Sequence, residues 1–359
     1  MDNVNPVHEL AGTSVLAHRA ELAATLVDRE FSRHPDLASR YGATARAKSL
    51  QDVDFHLASL AQALSLNDRA LFADYVGWAK VMLARRNVLT SDLAFHLECL
   101  AEVLREQLPA DQGSMASEFV TAAVETMPRM PDDLPTFLRD GEPLSPLAHQ
   151  YFEALRRGER QVAARLVLDA VEAGAAVRDI YLHVFQPAQF EIGRLWQTNQ
   201  ISVAQEHYCS AATQLIMSQL YPHIFASERI GRRLVATCVA GDLHEIGVRM
   251  VADFFEMEGW DTFYLGANTP HDSVVETIVE RAADVLAISA TIAYHVESVR
   301  QLIATVRRHP VAGRVAILVG GYPFNRSPEL WRDLGADGSA GDAQHAIAMA
   351  TRLWKTRST

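Results

Sequence analysis

The chain has 359 residues, which is too long for one ordinary domain, so two or three domains are expected. Lys and Arg number 33 against 44 Asp and Glu, and the net charge of −11 argues against a general nucleic-acid-binding surface. Three cysteines stand far apart without a CxxC pair, which argues against a disulfide framework and a zinc site. The N-terminus lacks the pattern of a signal peptide, and no apolar run of about 18 residues predicts a membrane span. We therefore expect a cytoplasmic protein without a membrane partner.

The first predicted domain, residues 1–127, is helical. Asn67-Asp68 and Thr90-Ser91-Asp92 supply N-cap residues between its helices. A proline-rich stretch at 128–146 has the composition of a linker. Apolar residues between about Val15 and Met127 recur at three- and four-residue steps, including Phe55, Leu57, Leu60, Leu64, Leu71, Phe72, Tyr75, Val76 and Met82.

Two further domains follow the linker. Residues 147–228 return to helical periodicity, in segments broken at Gly158, Gly174 and Pro187, which predicts a four-helix bundle. In residues 229–359 short apolar strands alternate with helix-length segments, so a parallel sheet with helices on both faces is expected. The predicted strands are Leu234–Val239, Thr262–Leu265, Val285–Ser289 and Val315–Val319.

The first of these strands runs into the stretch "VATCVAGDLHEIG", which places Asp242 and His244 ahead of Gly247. A strand-to-helix turn rich in small residues normally suggests a phosphate cradle, but histidine is the commonest protein ligand for a metal. Ligands of parallel sheets bind beyond the carboxyl ends of the strands, near the switch in strand order. Ser289 follows the third strand and Gly320-Gly321 the fourth, so three loops are expected to converge on one site.

These loop motifs, Asp242-x-His244-x-x-Gly247, Ser289-Ala290-Thr291 and Gly320-Gly321, resemble the cobalamin-binding module shared by methionine synthase, corrinoid carriers and adenosylcobalamin mutases. The resemblance implies that His244 replaces the cofactor's own base as the lower cobalt ligand. It also implies that Asp242 hydrogen-bonds the other ring nitrogen of that histidine. The remaining cofactor contacts that it implies are Leu243, Gly247, Ser289, Thr291, Gly320 and Gly321.

This module has one departure and one alternative. The family usually has Ser-x-Leu in the middle motif, where this chain has Ser289-x-Thr291. Taken alone, His244 is also compatible with a loop histidine that caps a helix. The placement of all three motifs after strands favours cobalamin.

The bundle contains Trp196, nine further residues and then Glu206-His207. This W-x9-EH pattern resembles the helical cap of light-responsive adenosylcobalamin photoreceptors and implies that Trp196 packs on the adenosyl group, which Glu206 and His207 contact. Corrinoid methyl carriers keep a related bundle. Core packing is the alternative for Trp196, and a helix N-terminal acid with an exposed histidine is the alternative for the pair. In the best-known light-responsive regulators a histidine follows the tryptophan and captures cobalt, whereas this chain has Gln197.

The first domain, with "RYGATARAKSLQDVDFHLASLAQAL", is similar to the helical, globin-like sensory domain of other cobalamin-domain signalling proteins. The arrangement resembles photocobilins, which bind biliverdin in addition to cobalamin. The polar candidates near such a pocket are His56, His96 and Cys99, with Tyr41, Trp78 and Arg85 less distinct. The alternative is that these are ordinary helix-face or core residues and that the domain serves binding or dimerisation.

The sequence therefore predicts a multidomain α plus α/β protein with a globin-like helical domain, a four-helix cap and a flavodoxin-like, doubly wound parallel sheet of Rossmann-like type. We expect a non-enzymatic light sensor in which photolysis of adenosylcobalamin shifts the cap and sheet domains. The signal would pass to an unidentified protein effector in trans or through self-association as a homo-oligomer, with no nucleic acid involved. The alternatives are a corrinoid methyl-carrier subunit of a methyltransferase system and a thermal cobalamin sensor or store.

Overall fold

The computed structural model describes residues 6–225 and 227–358 and divides the chain into two compact units, 1–134 and 135–359. The division falls inside the proline-rich stretch. Residues 1–5, which begin the predicted first domain, lie outside the described residues, as do Ala226 and Thr359 near the ends of the other two. None of the described helices is long and apolar enough to cross a membrane.

The first unit is helical, as predicted, and its first helix begins at Pro6 rather than near Val15. Asp68 caps the fifth helix, because its carboxylate accepts the backbone N–H of Leu71 at 3.1 Å. Thr90 is the first residue of the sixth helix rather than its cap. The helices are α1 (Pro6–Ala17), α2 (Arg19–Arg33), α3 (Leu37–Tyr41), α4 (Ala45–Ser65), α5 (Arg69–Ala84), α6 (Thr90–Gln107) and α7 (Ala110–Thr126).

The proline-rich stretch is fastened to each unit near its two ends. In the first unit the buried Lys80 of α5 donates to the carbonyl oxygens of Met127 and Met130, at 3.2 and 2.8 Å. In the second unit the Glu191 carboxylate accepts the Phe137 backbone N–H at 2.9 Å and the Thr136 hydroxyl at 3.0 Å. The stretch is therefore not a freely solvated chain at either end.

The second unit begins with the helical cap. Its third helix does not break at Pro187 as predicted, because a π-helical turn at Tyr181–Phe185 joins two α-helical pieces. In a regular α-helix the ring of Pro187 would clash with the carbonyl of His183, four residues earlier. Because His183 lies in the wider π-helical turn, this turn accommodates the proline. The cap helices are α8 (Ser145–Arg156), α9 (Arg160–Glu172), α10 (Val177–Ile180), α11 (Gln186–Gln197), α12 (Val203–Gln219) and α13 (Tyr221–Ile224).

The sheet has five parallel strands in the order β2-β1-β3-β4-β5, which is the flavodoxin-like order. The four predicted strands are present, and the fifth was missed. The strands are β1 (Arg233–Cys238), β2 (Asp261–Gly266), β3 (Val285–Ser289), β4 (Ala316–Gly320) and β5 (Gly338–Ala340). The helices around them are α14 (Ile246–Met257), α15 (His271–Arg281), α16 (Val296–Arg308), α17 (Tyr322–Arg326), α18 (Leu330–Asp333) and α19 (Ala343–Ser358).

Helix α14 joins the cap to the sheet because it is apolar on two sides. Met250 and Phe254 belong to the hydrophobic core of the cap. Val248 and Phe255 belong to the core under the sheet. Each fully buried side chain of this size contributes about 1.5–3 kcal/mol relative to exposure. The helix that begins just after His244 is therefore held firmly between the two layers.

Candidate cofactor site

The predicted loops meet at one edge of the sheet. In the parallel register Cys238 of β1 pairs with Ser289 of β3, and Ser289 pairs with Gly320 of β4. The Val239 N–H donates to the Ser289 carbonyl at 3.2 Å and extends this alignment past the strand ends. The strand order changes direction between β1 and β3, so the loop that carries His244 lies at the switch point.

Asp242 and His244 form a close pair in that loop. Nδ1 of His244 lies 2.7 Å from Oδ1 of Asp242, and the His244 backbone N–H donates to the same oxygen at 3.0 Å. The other carboxylate oxygen accepts the backbone N–H of Thr291 at 2.6 Å. Asp242 is completely buried, whereas the His244 side chain is 54% exposed. The Nδ1 edge of the imidazole is thus fixed by Asp242, and the rest of the ring is open to solvent.

The electrostatics of the pair favour a ligand histidine. Burial opposes ionisation of Asp242, but the hydrogen bonds from His244 and Thr291, together with the nearby His295 imidazole, outweigh it and hold the pKa of that carboxyl well below its usual range. The hydrogen bond to Asp242 raises the pKa of His244 against the opposing effect of desolvation. A carboxylate on Nδ1 keeps the proton there and leaves the lone pair on Nε2. Nε2 makes no hydrogen bond to any described residue, so the imidazole fits the lower position on cobalt.

The loop after β2 supports the loop that carries His244. Gly241 has a φ of +89°, and its N–H donates to the Asn268 side chain at 2.8 Å. The Asn268 N–H in turn donates to the carbonyl of Asp242 at 3.1 Å. The segment after β2 therefore fixes the backbone that precedes His244.

The other predicted cofactor contacts have different surroundings. Leu243 is 72% exposed, and a Cβ on Gly247 would meet no atom within 4 Å, so both positions are open. Gly321 has a φ of +106°, and a Cβ there would collide with the Ala290 carbonyl. The close approach of the Ala290 backbone therefore already requires a glycine at position 321. The Thr291 N–H already donates to Asp242, so a contact with a cofactor tail would have to use another group of Thr291.

The predicted cap residues lie on either side of the α11–α12 turn. Trp196 is half-buried in the last turn of α11, and Gln197 beside it is buried. Glu206 lies in the first turn of α12 and accepts the Ser210 hydroxyl at 2.8 Å. His207 is 74% exposed. The negative charge of Glu206 makes a small contribution to the raised pKa of His244. Contact of Trp196, Glu206 or His207 with a cofactor remains a prediction.

Sequence reasoning missed two side chains at this edge. His295 is buried, and its Nδ1 lies 3.5 Å from Oδ2 of Asp242. Glu245 contacts both the cap and the loop after β2. Neither belongs to a spaced motif that marks it before folding, and only the position of Glu245 beside His244 would have drawn attention to it. Within the described ranges no group of three or more His, Cys, Asp and Glu side chains is arranged to hold a metal ion.

In the first unit the three main candidates, His56, His96 and Cys99, are buried. Nδ1 of His56 lies 2.8 Å from the Tyr75 hydroxyl, and Nδ1 of His96 lies 3.2 Å from the Glu30 carboxylate. Cys99 is buried, and burial raises the pKa of its thiol. The three less distinct candidates have polar or ring partners, namely Tyr41 with Asp92, Trp78 with Tyr75, and Arg85 with Asp133. This matches the alternative of ordinary core and surface residues, and biliverdin binding stays a prediction.

Comparison with known proteins identifies the cofactor class. Residues 232–350 match the model of a B12 binding domain, and residues 147–221 match a second B12 binding domain model. The chain is 28% identical over 165 residues to dimethylamine corrinoid protein 2 of Methanosarcina mazei, covering 46% of this chain and 74% of that protein. It is 27% identical over 199 residues to monomethylamine corrinoid protein 1 of the same organism, covering 54% and 90%.

A solved structure shows the same fold. The monomethylamine corrinoid protein of Methanosarcina barkeri aligns with a TM-score of 0.51 at 19% identity, over 59% of this chain and 99% of that one. The predicted helical and flavodoxin-like architecture is thereby confirmed. The two family models show a cobalamin-binding protein whose cap and sheet each match a B12 binding domain.

Proposed function

We propose that the protein is a corrinoid methyl carrier, which holds cobalamin while a methyl group is delivered to it by one methyltransferase and removed by another. The observation that carries the proposal is the His244 imidazole, fixed at Nδ1 and open at Nε2 at the sheet edge that faces the cap. The similarity of the chain to dimethylamine and monomethylamine corrinoid proteins supports it. This role was the alternative to the light sensor in the sequence interpretation.

Each residue of the site has a definite part in this role. Bound cobalamin would supply a cobalt centre that accepts and releases a methyl group. His244 would hold the lower face through Nε2, and Asp242 would keep the ring oriented and its Nδ1 protonated. Leu243 and Gly247 would lie against the cofactor on this loop, with Ser289, Thr291 and Gly320 on the neighbouring loops. Cap residues Trp196, Glu206 and His207 would cover the upper face.

The light sensor is the rival function, and the W-x9-EH pattern of the cap is what favours it. The two functions differ in what the upper face must do. A carrier must open that face to partner enzymes, whereas an adenosylcobalamin sensor keeps it closed until light breaks the cobalt–carbon bond. A methyl donor, a methyl acceptor and a partner methyltransferase are part of the proposed carrier role.

Loading the full-length protein with cobalamin distinguishes the two functions. The bound cofactor is reduced to the cobalt(I) form and mixed with a methylamine and a methyltransferase that acts on it. A carrier is expected to show the absorption change of cobalt methylation, and His244→Ala should lose it or slow it strongly. A matched sample with adenosylcobalamin is illuminated with green light and examined by sedimentation. Methylation without a light-dependent change of sedimentation supports the carrier.

The opposite pattern would overturn this proposal. Preference for adenosylcobalamin, a light-dependent change of sedimentation and no methylation by any supplied methyltransferase would leave the sensor as the function.

A further inference from the structure

Glu245, the residue after His244, makes an unusual set of contacts. It occupies the N-cap position of α14, yet its side chain does not cap that helix. Oε1 accepts the Gln214 amide of cap helix α12 at 3.0 Å. Oε2 accepts the Tyr264 hydroxyl of β2 at 2.8 Å and the backbone N–H of Ala267 at 3.0 Å. The carboxylate is therefore directed away from its own helix and toward two other elements.

On the cap side, Gln214 is held from two directions. Its side chain donates to Glu245, and its carbonyl accepts the guanidinium of the buried Arg249 at 3.1 Å. Arg249 also donates to the Ser218 hydroxyl one turn later, at 2.7 Å. Gln214 lies two turns from Glu206 on the same face of α12, with Ser210 between them. Glu206 and Gln214 therefore lie on one continuous helix, and a movement of that helix as a unit would displace both.

On the sheet side, Glu245 holds the loop that fixes the histidine segment. Ala267 donates to Glu245, and the next residue, Asn268, is bonded to the Gly241 N–H and to the Asp242 carbonyl. Asp242 then holds His244 through its carboxylate. A series of hydrogen bonds, joined by the backbone of the loop after β2, thus connects the cap through Glu245 to the His244 imidazole.

We propose that Glu245 is a positioning residue that couples the position of the cap to ligation of cobalt by His244. With Gln214 in place, three donors fix the carboxylate and with it both sides of the His244 segment. When α12 moves away, Glu245 loses its cap donor and the loop loses part of its restraint, so His244 holds cobalt less firmly. Opening of the upper face and loosening of the lower ligand then occur together. This coupling rests on cobalamin binding at His244 and not on the methyl-carrier role.

The test replaces the cap donor and leaves the loop untouched. Gln214→Met removes the amide while keeping side-chain length and helix propensity. The full-length protein, with its histidines labelled with nitrogen-15, is loaded with cob(II)alamin and studied by electron paramagnetic resonance. A protein histidine on cobalt gives a nitrogen-15 doublet, whereas the cofactor's own base gives a nitrogen-14 triplet. We expect Gln214→Met to lower the doublet fraction and to weaken cobalamin binding by about 10-fold, the lower end for outer-shell changes.

Two control variants separate coupling from general loosening. Tyr181→Phe removes another cap-to-α14 hydrogen bond, the 2.7 Å bond to Asp253, without touching Glu245, and it should keep the doublet. In a Glu245→Ala background, adding Gln214→Met should cause little further change, because the carboxylate that accepts the Gln214 amide is already absent. Far-ultraviolet circular dichroism checks that each variant keeps its helical content.

An unchanged doublet and affinity in Gln214→Met would overturn the coupling, as would equal losses in Gln214→Met and Tyr181→Phe. Wild-type protein without a doublet would overturn both the coupling and His244 ligation. Because no methyl group is transferred in this measurement, failure of the carrier role leaves the result intact.

Discussion

The carboxyl group of Asp253 is expected to make the second unit less stable as the pH rises, which is the reverse of the usual effect of a carboxyl group. It is buried on α14 and accepts the Tyr181 hydroxyl at 2.7 Å. Desolvation by burial raises the pKa of Asp253 from 3.8 to about 6, and the negative charge of Glu256 adds to the rise. The Tyr181 hydrogen bond and the positive charge of Arg249 oppose it but do not cancel it.

The sign and size follow from linkage. The folded state binds the Asp253 proton more tightly than the unfolded state, so this contribution is complete below about pH 4 and is lost as pH rises through about 6. A rise from 3.8 to about 6 corresponds to about 3 kcal/mol. Asp253→Asn keeps an oxygen that accepts from Tyr181 and never ionises. At about pH 8 the variant should therefore be more stable than wild type by up to this amount.

Calorimetry of the full-length protein measures the effect. For a unit of this size, about 3 kcal/mol corresponds to a rise in Tm of about 6–12 °C at about pH 8, and the difference should nearly vanish near pH 4. Asp169→Asn, at an exposed position of α9, is the matched control and should leave Tm unchanged at both pH values. A Tm difference for Asp253→Asn that is the same at both pH values, or a loss of stability at about pH 8, would refute the reasoning.

Three further predictions concern the ligands. Asp242→Asn should weaken cobalamin binding about 10- to 100-fold in equilibrium titrations, because a neutral amide holds the His244 proton more weakly than a carboxylate does, and unchanged affinity would contradict this role. Trp196→Ala should reduce affinity for adenosylcobalamin more than for methylcobalamin, because the indole is expected against the larger ligand; equal losses would show that Trp196 is only a packing residue. Mixing full-length apoprotein with biliverdin tests the predicted second chromophore: binding should sharpen and intensify the red absorption band, and an unchanged spectrum removes it.

The sequence predicted those parts of the fold that local pattern determines. Strand Val285–Ser289 was placed correctly because an apolar run ends at a polar residue. Strand β5 was missed because Gly338–Ala340 has no such run and forms only by pairing with β4. Pro187 was expected to end a helix, but the π-helical turn before it accommodates the proline ring. The amino-acid composition of residues 181–185 does not predict that turn.

The candidate site also has some features that were expected from the sequence and others that depend on tertiary packing. The pairing of Asp242 with His244 was implied by the resemblance of the loop motif, and the 2.7 Å contact agrees with it. His295 and Glu245 reach the site through tertiary packing across loops, and no spacing in the chain encodes those contacts. The positive φ of Gly321 likewise depends on how closely the Ala290 backbone approaches.

Ligation of cobalt by His244 can be measured by electron paramagnetic resonance of wild-type protein carrying nitrogen-15 histidine and unlabelled cob(II)alamin. We predict a nitrogen-15 doublet that disappears in His244→Ala. A nitrogen-14 triplet from the cofactor's own base, or a doublet that survives in His244→Ala, would contradict it.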